Sequence, residues 1–411
     1  MKRFVCLGGV ALLASFMLLT NAAGQEIRDA GPTGYAYVPA SSINHPEYSG
    51  IKMHTNIQIF VPFGKQDNSV PPPSAETPAS LACIYHLVPQ VDGCPIAGTT
   101  AIPNGGFGAV GIVDAYDNPN AEEDLAVFST QYGLPQCTKA NGCFQQVYAE
   151  GTQPDNDPGG WSLEEALDIE MAHAMAPNAK IILVEAKDNF STSLYHAEDV
   201  ASRIVHTLGG GTISNSWSGG EYRAEVVDDG HFRAPGIVYF ASTGDGGAPV
   251  GYPAASPFVV AAGGTQILRD SGNFTGENGW AGSGGGPSAY ESRPLYQNGI
   301  QSIVGNKRGT PDFSADASPA SGAAMYDADG GVNWTKVGGT SVSSPLLAGI
   351  VNTAHSHAIS TEQELGGLYN YAGKHYAKVW RDETTGDNGY SCEVGWDFVT
   401  GIGSPVTYEG K

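Results

Sequence analysis

The sequence predicts an α/β fold: a single large domain on a mostly parallel central sheet, with helices on both faces. Three observations carry that expectation. From about residue 80 onward, short apolar runs alternate with helical stretches, the rhythm of a parallel sheet covered on both sides. Each apolar run leads into small or polar residues, and ligand-handling groups gather at strand ends of that kind. With 41% hydrophobic and 9% aromatic residues, the chain can bury a substantial core, which excludes global disorder.

The elements follow in order. "MKRFVCLGGVALLASFMLLTNAAGQ" has Lys2 and Arg3, then an apolar run, then small residues. This is the pattern of a secretory leader, residues 1–23, cleaved near Ala23 or Gly24. The expected destination is extracellular or periplasmic. Residues 24–74 are expected to form an N-terminal extension and linker, with one strand-like segment, "TNIQIFVPF", before the Pro-containing "DNSVPPPSAETPAS". The main domain is expected over 75–411. Its strands are "FGAVGIVDAY", "AKIILVEA", "GGTISNSW", "GIVYFASTGD" and "PFVVAAGGT". Its helices include "WSLEEALDIEMAHAM", which stops before Pro177, and "STSLYHAEDVASRIVHTL".

Charge and cysteine usage exclude several functions. Forty-two acidic residues against 20 basic ones leave a net charge of −22, a field that repels nucleic acid and anionic membrane. Two readings of the acidity stay open, an ordinary soluble surface or adaptation to low pH. After the leader no stretch approaches the length of a membrane span, so no membrane partner is expected, and the chain is expected to be a monomer. In an oxidising compartment Cys83 with Cys94 and Cys137 with Cys143 are the favoured short-loop pairings, leaving Cys392 over. No Cys-x-x-Cys pair offers a thiolate zinc site. The glycine-rich "LGGGTIS" and "AGSGGGPSAYES" lack the Lys-Ser/Thr ending of a phosphate loop.

The chemistry-bearing residues lie on three elements. On the 161–176 helix, Ser162 and Glu165 match a capping box. Glu164 and Asp168, four residues apart, share a helix face; if buried they hold one proton between them. Apolar Leu167, Ile169, Met171 and Met175 surround them, and His173 on the same helix is read as a packed or solvated side chain. Asp245 sits in a Gly-flanked turn, "ASTGDGG", just past a strand. Ser341, in "GGTSVSSPLLAG", opens a helix whose positive end suits a nucleophile. The Gly-Thr-Ser-x-x-x-Pro run resembles the nucleophile corner of subtilisin-type serine peptidases, whose base is a histidine in a His-Gly-Thr context, and none of the ten histidines stands in one.

As a set these residues resemble the sedolisins, or serine-carboxyl peptidases, which have a subtilisin-like fold. Their helix motif matches "EEALDIE", with Glu164 and Asp168 in the catalytic places; their Gly-Asp turn matches Asp245, and their Gly-Thr-Ser matches Ser341. "ISNSW", "AAGGT", "GSGGGPSAYES", "RGTPDFSADA" and "DETTGDNG…GWDFVTGIGSP" are similar too, in the expected order over about residues 75 to 408. The resemblance implies a secreted endopeptidase acting on protein or peptide substrates through an acyl-enzyme on Ser341. Glu164 would be the general base and Asp168 its partner, and Asp245, protonated, would donate to the oxyanion. It also implies one structural Ca2+, held by the side chains of Asp382 and Asp397 and the carbonyls of Glu383, Glu393 and Gly395, an oxygen-only set suited to a hard cation.

Three departures stand out: residues 25 to 74 are too short for the family's usual prosegment, Gly246 replaces a common serine, and Cys392 lies inside the calcium loop, where Glu393 also replaces a usual glycine. An aspartic acid of ordinary pKa is about one part in a thousand protonated at pH 7, and holding it neutral there costs roughly 4 kcal/mol. An acidic optimum on the order of pH 3 to 5 is therefore expected. The rival readings are a catalytically inactive, secreted, calcium-stabilised binding or surface protein, and an ordinary His-dependent subtilase with a neutral-to-alkaline optimum.

Overall fold

A computed structural model of the chain describes residues 19–20, 26–354 and 358–411. The predicted leader and Cys6 lie outside the described residues, apart from Leu19–Thr20, which pair antiparallel with the strand Glu26–Asp29.

The core of the molecule is an eight-stranded sheet. Ala109–Ala115 lies at its centre, parallel to Lys180–Ala186 on one side and to Gly211–Asn215 on the other. Phe144–Tyr148 extends the first side, and Ile237–Ser242 and Val260–Asp270 the second, all parallel. Asn273–Gly279 closes one edge antiparallel, and Phe313–Asp316 pairs parallel with Val260–Asp270. The five strands expected from apolar runs are all present.

Alternation along one strand decides what packs where. In Ile237–Ser242, Val238 and Phe240 join the cluster built with Leu163, Leu167, Leu346 and Ile350, from the helices Trp161–Met175 and Thr340–Thr353. Ile237, Tyr239 and Ala241 face the opposite way, onto Leu194, Ala201 and Val205 of the helix Ser191–Thr207. Helices thus cover both faces.

Trp161–Met175 and Thr340–Thr353 are buried at every residue, and a helix enclosed on all sides has no use for an amphipathic pattern. Gly349 lets the two approach closely. A β-carbon there would stand 2.7 Å from the Met175 β-carbon and 3.0 Å from the Ala172 carbonyl oxygen.

Two expectations about caps and linkers are corrected. Ser162 is not an N-cap and makes no capping box with Glu165. The helix begins at Trp161, preceded by Gly160. Its first N–H groups are met by Asp157, whose Oδ2 accepts from Trp161 N at 3.1 Å, while Ser162 Oγ donates to the Asp157 carbonyl at 3.2 Å. A capping box does form at Thr77 and Ser80, where the expected linker instead opens the helix Pro78–Ile84. The residues before it are also structured. Gly34–Tyr37 pairs with Gln58–Pro62, which pairs with Asn333–Gly338, so the N-terminal extension is built into a second sheet.

Cys83–Cys94 and Cys137–Cys143 form the two expected disulfides, and Cys392 is free and buried. Burial, followed by Asp397 and Glu383, pushes its thiol up to about 12, which leaves it unreactive. Among the described residues no helix is long and apolar enough to cross a membrane.

Candidate active site

The carboxyl ends of the parallel strands and the start of one buried helix supply the polar groups. Ser341 is the second residue of Thr340–Thr353, preceded by Gly339 at φ 105°. That backbone region is closed to most side chains. A β-carbon on Gly339 would also lie 2.0 Å from the Asn56 carbonyl oxygen and 2.7 Å from Asp245 Oδ2. Pro345, inside the helix, has no N–H to offer the Ser341 carbonyl four residues earlier, and Ser216 Oγ approaches that carbonyl at 3.5 Å instead.

Ser341 Oγ donates to the Ser216 carbonyl at 3.2 Å. Ser216 follows the strand Gly211–Asn215, and its own hydroxyl donates to Asp168 Oδ1 at 2.7 Å. Glu164 and Asp168 do share a helix face, both fully buried. Neither oxygen of Glu164 has a hydrogen-bond partner. Burial first, then Asp168 and Asp114, hold its carboxyl well above the usual range, while the nearby Ser341 hydroxyl pulls in the opposite direction. The Glu164 carboxyl therefore lies within electrostatic reach of the serine, although the serine's hydrogen bond goes to Ser216. Asp168 is raised by burial and pulled back by Ser216.

Asp245 lies past the strand Ile237–Ser242, as expected. Its Oδ1 accepts from Thr340 N at 2.7 Å and from Thr340 Oγ1 at 3.0 Å. Gln58 Nε2 donates to its Oδ2 at 3.2 Å, and Arg28 donates to its carbonyl at 2.6 Å. Burial pushes its carboxyl up to about 7, against the Thr340 N–H and Arg28, which favour the anion. The neutral acid is thus held partly by the fold, so less of the roughly 4 kcal/mol cost has to come from the medium.

Sequence reasoning missed several neighbours. Asp114 is buried in the strand Ala109–Ala115 with both oxygens unpartnered. Burial, then Asp168 and Glu185, raise its carboxyl. A lone acid at the end of an otherwise apolar run, "AVGIVDAY", was the available signal. Ser216, Thr340, Arg28, Asn56 and Gln58 carried no such mark. His173 is packed, with Nε2 against the Pro135 carbonyl at 2.8 Å. Among the described residues no histidine hydrogen-bonds Ser341.

The residues expected to hold calcium meet in one loop. Asp382 Oδ1 and Oδ2 accept from Gly395 N at 3.1 and 3.2 Å. Asp397 Oδ1 accepts from Val399 N and Thr400 N, and its Oδ2 from Glu393 N at 3.0 Å. Glu383 turns its carboxyl to Ser404. The Tyr376 hydroxyl stands 2.8 Å from Asp382 Oδ1, 3.2 Å from the Gly395 carbonyl and 2.6 Å from the Ile402 carbonyl. Three acceptors thus compete for one proton. The cluster gathers carboxylate and carbonyl oxygens of the kind a hard cation takes, with backbone N–H groups already donating to both Asp382 oxygens and to Asp397.

Residues 151–378 match the profile of the subtilase family. Kumamolisin of Bacillus sp. (strain MN-32) is 30% identical over 374 residues, which are 81% of this chain and 62% of that protein. Sedolisin of Pseudomonas sp. (strain 101) is 25% identical over 346 residues, 74% of this chain and 57% of that protein. The chain thus spans about three fifths of the length of these relatives. The solved structure of Pseudomonas sedolisin, a serine-carboxyl proteinase complexed with pseudo-iodotyrostatin, superposes with a TM-score of 0.66 at 25% identity, covering 80% of this chain and 95% of that one. With buried carboxyls rather than a histidine near its serine, on a sheet like that of Pseudomonas sedolisin, the chain belongs to the subtilase family.

Proposed function

We propose that this protein is a secreted, acid-active serine-carboxyl endopeptidase. Ser341 Oγ attacks a peptide carbonyl while Glu164 takes its proton; Glu164 then protonates the leaving amine and activates the water that splits the acyl-enzyme. Asp168 and Asp114 share the buried charge with Glu164, so the cluster stores a proton at the pH of work. Asp245 as the neutral acid, with the Ser341 N–H, donates to the oxyanion. The observation that carries this reading is the fully buried Glu164 and Asp168 on one helix face, with Asp168 joined to Ser341 through Ser216 and Glu164 near the Ser341 hydroxyl. Buried acids of this kind are poised for general acid–base work.

A calcium ion held by Asp382, Asp397 and the carbonyls of Glu383, Glu393 and Gly395 would brace the loop that carries Trp396 into the core. Its contribution is structural, and no chemical step passes through it.

The test is casein hydrolysis at about pH 4 by the chain and by its Ser341→Ala and Glu164→Gln variants. Loss of a nucleophile or general base costs about 10²-fold or more. Equal hydrolysis by all three would dispose of the assignment, and no hydrolysis by any would favour the inactive binding protein.

A further inference from the structure

The second disulfide shares its corner of the fold with a histidine. Cys137 and Cys143 flank a turn that leads from the helix Ala121–Tyr132 into the strand Phe144–Tyr148. His173 comes to the same place from the buried helix Trp161–Met175. Both sulfurs and a ring nitrogen of His173 lie within 4.8 Å of one another. Among the described residues no other three His, Cys, Asp or Glu side chains bring their ligand atoms so close. Cys137 and His173 are fully buried, Cys137 in the core cluster with Ile169, Ala172 and Ala176. Cys143 is half-buried, and Lys139 to Gly142 between the two cysteines are exposed.

The two nitrogens of the imidazole are in different states. Nε2 stands 2.8 Å from the Pro135 carbonyl. A carbonyl only accepts, so Nε2 carries the proton and Nδ1 keeps a bare lone pair. That lone pair is buried without a partner. An unmet buried acceptor is destabilising, and a disulfide has no hydrogen to give it. One nitrogen fixed to a carbonyl and the other free is how a metal-ligating imidazole is held.

Thiolate sulfur and imidazole select soft or borderline cations over the hard ones that carboxylates take. Tetrahedral zinc holds sulfur at about 2.3 Å and nitrogen at about 2.0–2.1 Å, which sets its ligands roughly 3.5 to 3.8 Å apart. Two sulfurs no longer bonded to each other rest at van der Waals contact, on the same scale, and the exposed turn can absorb the movement. The disulfide ties residue 137 only to residue 143. An ion would tie both to residue 173, on the helix that carries Glu164 and Asp168, and so close a longer loop.

We propose that Cys137, Cys143 and His173 form a redox-controlled zinc site, closed as a disulfide when oxidised and open to one Zn2+ when reduced. A dithiol reductant supplies two electrons and two protons, becoming a disulfide itself as the Cys137–Cys143 bond breaks to two thiols. Zn2+ then displaces both thiol protons and takes the His173 Nδ1 lone pair, with water in the fourth position. The disulfide prevails in an oxidising medium and the zinc form in a reducing one. The site takes no part in the chemistry at Ser341.

The full chain carrying Ser341→Ala is reduced at neutral pH with a phosphine, which competes less for the ion than a dithiol does, and titrated with Co2+ as a spectroscopic stand-in for Zn2+. One equivalent is expected to bind with the near-ultraviolet charge-transfer band of a cobalt thiolate, and Zn2+ to remove that band. The unreduced chain should show neither. His173→Gln should weaken binding at least about tenfold. X-ray absorption by the reduced, zinc-loaded Ser341→Ala chain needs no variant at the site, and two sulfurs with an imidazole nitrogen are expected around the ion. Absence of the cobalt band after reduction, equal binding by the unreduced chain, or a zinc shell without that set of ligands would each overturn the inference. Undiminished affinity in His173→Gln would do so too, by assigning the ion to the Cys83 and Cys94 thiols instead.

Discussion

Glu185 offers a direct measure of how far this fold depends on acid. It lies in the strand Lys180–Ala186 and is fully buried. Its Oε1 accepts from Gln146 Nε2 at 2.8 Å and Asn118 N at 3.2 Å, while its Oε2 has no partner. Burial pushes the carboxyl from an ordinary 4.5 up to about 8. Below 4.5 both folded and unfolded chains hold this proton, and the group has no effect on stability. As pH rises from there the unfolded chain ionises while the folded one keeps its proton, so stability falls until about pH 8 and then levels. At about 1.36 kcal/mol per pKa unit, the whole fall is roughly 5 kcal/mol, comparable to the low end of the 5–15 kcal/mol that holds a typical domain together.

Glu185→Gln keeps the Oε1 acceptor, replaces Oε2 with an amide and cannot ionise. In a Ser341→Ala background, urea unfolding at about pH 4 should show the two proteins within about 1 kcal/mol of each other. At about pH 8.5 the variant should be the more stable by several kcal/mol. Asp124, also buried and pushed up to about 7, should behave in the same way. A wild type equally stable at both pH values, or a variant that tracks it at both, would refute the reasoning.

Two further outcomes follow from the site. Asp245→Asn supplies a permanent donor where the carboxyl supplies one only below about pH 7, so the ratio of its kcat/KM to that of the wild type should rise as pH rises through 7. Asp245→Ala should lose about 10²–10³ in rate, and a flat ratio for the Asn variant would count against the oxyanion role. Chelation with EDTA should lower the Tm, calcium should restore it, and Asp397→Ala should abolish both responses; a Tm indifferent to EDTA would count against the ion.

The reading of the acid-rich composition also changes with the fold in hand. The net charge of −22 suggested either a soluble surface or acid adaptation. Asp114, Glu164, Glu165, Asp168, Glu170, Glu185 and Glu198 are all fully buried, and most of their oxygens lack partners. Composition counts carboxyls without saying which side of the surface they occupy. Only the packing reveals that many are interior acids, which are stable when protonated.

Local periodicity and short-range motif spacing were enough to read the strands, the two enclosed helices, the disulfide pairs and the positions of Glu164, Asp168, Asp245 and Ser341, because each of these depends on neighbours a few residues away or on a recurrent pattern. The cap at Trp161 escaped that reading because Asp157, outside the motif, reached the N–H groups first. Asp114 and Ser216 join the site through the sheet, from strands far apart in the chain. Asn56 reaches Ser341 across 285 positions, a contact that no residue type announces. Sequence by itself determined which hydroxyl and carboxyl side chains this protein offers at its candidate site and the chain order of its strands and helices. Tertiary packing alone decided which carboxyls lose water and hold protons, and that the segment around Asn56 docks against Ser341, since desolvation and strand docking are set by neighbours that meet only in the folded state.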